Sequence, residues 1–155
     1  MNPPIRTLKS SAVACLLLTA ALVGCASPTV DDEAPGLPSS AATLIDQRYS
    51  SSTELRRAAE GFAIAAVTHW RAAVATGRFN EGLRAKAVSA QLCLSARSDR
   101  LQQSMSHEEL ASFIGALTST PELRRAHQKA NQLSSGRPVT ASTNEAKACA
   151  IAGIE

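Results

Sequence analysis

Three Ser-x-x-Glu tetrads, Ser51 to Glu54, Ser106 to Glu109 and Ser142 to Glu145, stand at the heads of segments whose apolar residues recur every three or four positions. In such a tetrad the hydroxyl accepts from a free N–H of the first turn, and the carboxylate reaches back to the N–H of the serine. Two donors that a helix start leaves open are thereby satisfied. After the first tetrad come Leu55, Ala59, Phe62, Ala66, Trp70 and Ala73 on one face, until Gly77 offers a stop. No stretch sustains the period-two alternation of a half-buried strand. The prediction is an all-α domain with the helix that ends at Gly77 as its core.

The turn Gly77-Arg78-Phe79 is short enough to make an antiparallel hairpin of the core helix and a second helix over about 80–103, which carries Leu83, Val88, Leu92, Cys93 and Leu94. Leu110, Phe113, Ile114 and Leu117 share one side of a third segment behind Ser106. Thr120-Pro121-Glu122 reads as cap, N1 proline and first-turn acid for a fourth, through Leu123, Ala126, Ala130 and Leu133. A last short helix behind Ser142 carries Cys149 and Ile151, and residues 41–49 suit a short leading helix that ends near Tyr49. The pattern predicts a single small bundle of four to five helices.

Ahead of all this stands a basic start (Arg6, Lys9), an apolar run from Ala12 to Val23, and the tetrad Leu22-Val23-Gly24-Cys25. The run is about a dozen residues, short of the roughly 20 that a helix needs to cross the hydrocarbon, and suits a cleaved export signal. The tetrad resembles the lipobox of bacterial lipoproteins. That resemblance implies lipidation of the Cys25 thiol with diacylglycerol, cleavage before it and acylation of the new N-terminus, an anchor by more than one acyl chain. With Ala26 rather than aspartate after the cysteine, it also implies the outer membrane, facing the periplasm. An ordinary secretory signal cut near Ala26 is the alternative. The expected organisation is a signal over 1–24, a lipidated Cys25 with a flexible Pro- and acid-rich tether over 25–40, and a helical domain over 41–155.

Loss of the signal would remove Arg6 and Lys9, so the formal charge of +3 falls by two. A nearly neutral chain with no basic patch interleaved with aromatics is not built for nucleic acid. Tyr49, Trp70 and three phenylalanines are the only aromatics, so the core must come from Ala, Leu, Val and Ile. Of four cysteines, Cys15 would leave with the signal and Cys25 would take lipid. Cys93 and Cys149 remain for an oxidising compartment and read as a disulfide, the alternative being two buried free thiols. Closing a loop of about 56 residues would add roughly 4 kcal/mol on the chain-entropy model.

Three histidines, His69, His107 and His127, fall on three separate predicted helices with no metal-ligand spacing, and no phosphate loop or nucleophile elbow occurs. No catalytic residue, metal ligand or cofactor is expected. His69 reads as a packed or half-exposed residue near the edge of the buried stripe. Arg56, Arg57, Arg71, Arg124 and Arg125 are the candidate binding residues for an acidic protein partner, against the plainer reading that they solubilise Ala-rich helices. The expected role is that of a lipid-tethered domain that binds a periplasmic protein, in one concrete form an immunity-type inhibitor of a toxin. An accessory lipoprotein of an envelope, secretion or conjugation apparatus is the rival, and a small cell-wall hydrolase is the third reading.

Overall fold

In the computed structural model, residues 36–155 are described, so Cys25 and the export segment lie outside the described residues. Six α-helices follow in order: α1 (Ser39–Tyr49), α2 (Thr53–Thr76), α3 (Glu81–Arg100), α4 (His107–Leu117), α5 (Pro121–Ser134) and α6 (Glu145–Ala152). No strand occurs among the described residues. Six helices stand where four to five were expected, because the leading segment forms a full helix. Its stripe Ala41, Ile45, Tyr49 is buried, and Ser40 Oγ ties its start to α4 by donating to Ala116 O at 2.8 Å. None of the described helices is long and apolar enough to cross a membrane.

The core helix is α2, packed by α1, α3, α5 and α6. All six residues of its expected face are buried, together with Ala58, Ala63, Ala65, Val67 and His69. The run Phe62-Ala63-Ile64-Ala65-Ala66-Val67 is apolar nearly all round, the mark of a helix covered on more than one side. Gly77 ends α2 in the left-handed region, φ 62°, with its N–H on Ala73 O. Its far side shows a closer constraint. A Cβ on Gly61 would stand 2.6 Å from Ile154 Cγ1, so any larger residue there would force the Ile154 side chain to move from its place against α2. Gly153, at φ 72°, ends α6 with the Schellman pair Gly153 N–H to Ala150 O and Ile154 N–H to Cys149 O, and thereby lays Ile154 over Gly61.

Of the three tetrads, only Ser106 to Glu109 forms the reciprocal box. Ser52, not Ser51, caps α2 by accepting from Leu55 N, and Asn144, not Ser142, caps α6 by accepting from Lys147 N. Glu54 and Glu145 both turn to Arg97 and Arg100 at the end of α3, with Arg97 Nε 3.4 Å and 3.8 Å from their carboxylates and Arg100 Nη2 on both. Bonds of a carboxylate to guanidinium are charge-assisted and stronger than neutral ones. Helix dipoles favour the same arrangement, since two helix starts supply the acids and one helix end supplies the bases. Thr120 caps α5 as expected, with Pro121 opening the helix.

Cys93 and Cys149 form the disulfide that joins α3 to α6, 56 residues apart. Both are buried beside the ion cluster, so α6, only eight residues long, is held by a covalent bond, by charge and by Ile154. An isolated helix of that length is not stable in water. Replacing both cysteines by alanine should therefore lower unfolding free energy by about 4 kcal/mol in chemical denaturation, and reduction of the wild-type protein should do nearly the same. An unchanged denaturation midpoint after reduction would contradict the role given to this bond.

Candidate functional site

Two regions of the surface combine accessible chemistry with a defined shape. The first is a cavity of about 190 Å³ where the C-terminal half of α2 meets α3, α4 and α5. Phe62, Ala66, Trp70, Val88 and Ile114 give it apolar walls, and His69, Arg84, Gln91, His127, Asn131 and Ser134 supply polar groups. The hairpin of α2 and α3 places His69 and Arg84 on facing helices, and α5 brings His127 onto Trp70 with ring centroids 4.6 Å apart. Asn131, one turn beyond His127, has its amide nitrogen 3.0 Å from His127 Nε2, which suits a neutral ring that accepts there. Arg84 donates through Nη1 to Ser134 O at 2.7 Å and so fixes the last turn of α5.

Burial depresses the pKa of both histidines below the ordinary value of 6.5, and at His69 the charge of Arg84 adds to it. His69 is only 7% exposed, and its Nδ1 is enclosed with no hydrogen-bond partner among the described residues. The expectation of an edge residue understates this. Position 69 is one step off the main stripe, but α3 covers that side of α2 as well. Ser134 Oγ, at the far end of α5, is likewise enclosed with no partner among the described residues. Among the described residues no aspartate or glutamate lines the cavity, and the lining residues offer stacking, hydrogen bonding and the positive charge of Arg84.

The second region surrounds Ile64, which is 56% exposed at the middle of α2. A cleft of about 180 Å³ lies on one side, between α1 and α2, lined by Leu37, Ala42, Ile45, Asp46, Arg56 and Glu60. An open trough on the other side runs past Arg57, Glu60, Gly61, Ile154 and Glu155.

The five candidate arginines are divided between distant parts of the surface. Arg56 borders the Ile64 cleft and is held by Asp46 at 2.7 Å and Glu60 at 3.0 Å. Arg57 lines the trough, and it makes no ion pair among the described residues. Arg71 lies about 21 Å further along α2, at 1.5 Å per residue, and its Nε stands 3.7 Å from Glu122 on α5. Arg125 Nε donates to Pro121 O, and Arg124 is exposed on the same helix. Arg56 and Arg57 thus share a face with Ile64, whereas Arg71, Arg124 and Arg125 belong to the side of α5. Elsewhere Arg48 of α1 pairs with Glu109 of α4, and Arg48 together with the Ser106 N–H holds the Glu109 carboxyl below the usual carboxylate range.

Among the described residues no group of three or more metal-ligating side chains comes together. Comparison with protein-family models, with curated proteins and with solved structures finds no match to this chain. The described residues form a disulfide-linked, all-helical domain with a half-enclosed cavity beside Trp70 and an exposed isoleucine at position 64.

The histidines give a pH test. Unfolded, each imidazole takes up a proton near 6.5; folded, each does so only at lower pH. Proton uptake therefore favours the unfolded chain, so the stability owed to the neutral rings is complete above about pH 6.5 and lost as pH falls towards the lowered values. The unfolding temperature should drop between pH 7 and pH 5, above the range where Glu109 protonates. The double variant His69→Gln/His127→Gln should flatten that segment of the profile. A wild-type profile already flat there would contradict the assignment.

Proposed function

We propose that the protein is a lipid-anchored, periplasm-facing helical domain that binds a protein partner through the face around Ile64, in its most concrete form as an immunity-type inhibitor of a toxin. The observation that carries this reading is the exposed isoleucine on the helix most covered by the rest of the domain. A large apolar side chain flanked by two concave regions is the form of an interface centre, where a partner's apolar group can be desolvated within a polar rim. Arg57, which makes no ion pair among the described residues although Glu60 and Glu155 line the same trough, adds an exposed charge of the polar rim beside that apolar group. The placement at the membrane rests on the Leu22-Val23-Gly24-Cys25 tetrad and on the disulfide, which suits an oxidising compartment.

The test uses the full chain in cells, with a photo-crosslinking residue at position 64 and, as control, at the exposed Gln128 of α5. Position 64 should give one discrete protein adduct, abolished by Arg57→Glu, and position 128 should not. The adduct's identity separates a toxin from a component of an envelope apparatus. Cys25→Ser should move the protein out of the membrane fraction. Equal adducts from both positions, or none from position 64, would overturn the interface, and an unmodified N-terminus in the mass of the mature protein would overturn the anchor.

A further inference from the structure

The cavity beside Trp70 continues outward. Its mouth residues Arg84, Asn131 and Ser134 also line an open trough that runs to Arg137 and Pro138 in the segment after α5. The guanidiniums of both arginines lie over one ring, that of Phe79, with Arg137 Cζ 4.9 Å and Arg84 Cζ 5.9 Å from its centre. Neither arginine is paired with a carboxylate among the described residues, and no acid lines the cavity or the trough. In the ion cluster of α2, α3 and α6, by contrast, two glutamates meet two arginines. The mouth therefore concentrates positive charge next to a cavity with one apolar wall, formed by Phe62, Trp70 and Ile114. Phe79 holds the two side chains by cation–π contact, which restricts their freedom before any anion arrives.

From this we infer that the cavity is a binding site for a small organic acid, with its apolar body against Trp70, Phe62 and Ile114 and its carboxylate between Arg84 and Arg137. The volume fits: a dry cavity on the order of 150 Å³ takes a benzene ring, and about 190 Å³ is present here with an open side for the charged group. Guanidinium matches a carboxylate in planar geometry. Gln91 and Asn131 add donors that a carboxylate can use and an alkyl group cannot. The inference is independent of the Ile64 face, which is lined by other residues.

Trp70 is the sole tryptophan and forms the cavity wall, so its fluorescence reports occupancy directly. The full chain is titrated with 3-phenylpropionate and with its neutral counterpart 3-phenylpropan-1-ol, by Trp70 emission and by calorimetry. The acid should produce a saturable change, and the alcohol should bind at least tenfold more weakly. Arg137→Gln, at an exposed position, should weaken the acid about fivefold and leave the alcohol unchanged, while Arg84→Gln should weaken the acid more. Ile64→Glu should leave acid binding intact, which separates this site from the protein interface. Equal affinity for acid and alcohol, no saturable signal with either, or insensitivity of the acid to Arg137→Gln would overturn the proposal.

Discussion

Close approach of the neighbouring helices to α2 is the constraint on which the rest of the structure depends. Six of its buried residues are alanines, each with a single methyl to remove from water, so no one contact is strong. Small side chains compensate only if backbones come near enough for many weak dispersion contacts to accumulate. That requirement accounts for Gly61 under Ile154, where even one methyl would collide. It also accounts for the number of helices on α2, since each covers a small part of a thin apolar surface. Where larger residues do occur they act as wedges: Phe62 against Phe113 seats α4, and Trp70 against His127 seats α5.

Dense packing of small residues leaves the periphery in need of other bonds, and these concentrate at one corner. Cys93–Cys149, the cluster of Glu54, Arg97, Arg100 and Glu145, and Ile154 all hold α6 to α2 and α3. Arg97, whose side chain is only 10% exposed, is the costly member. Removing either glutamate would leave a largely buried charge under-compensated, a far larger loss than that of an exposed pair. At the opposite end of α2 the packing opens into the cavity. Trp70 there spans a gap that alanines could not fill, and the histidines beside it stay neutral through burial.

Helix identity was legible because caps and apolar spacing agreed, as at Thr120-Pro121-Glu122 and along Leu55 to Ala73. The disulfide was legible because counting cysteines left only Cys93 and Cys149. The caps fall at Ser52 and Asn144 rather than at Ser51 and Ser142, and Glu54 and Glu145 find partners on α3, tertiary contacts that no local motif contains. The same limit hid the cavity: His69, Arg84, His127 and Ser134 come from three helices, and nothing in their spacing announces that they meet. A signal did exist for the burial of His69, in the apolar run from Phe62 to Val67 that no single stripe explains. Ile64 was beyond reach, since whether an isoleucine in that run faces a neighbour or water is decided only when α1 and α6 take their places.

Segment-resolved amide hydrogen exchange of the full chain tests most directly whether α2 is the element the others depend on. The account predicts slowest exchange between Ala58 and Ala66, near the rate of global unfolding, with α4 markedly faster; reduction of Cys93–Cys149 should release α6 while that centre stays protected until the whole domain opens. Exchange in the middle of α2 as fast as in α4, or slowest protection located in another helix, would contradict it.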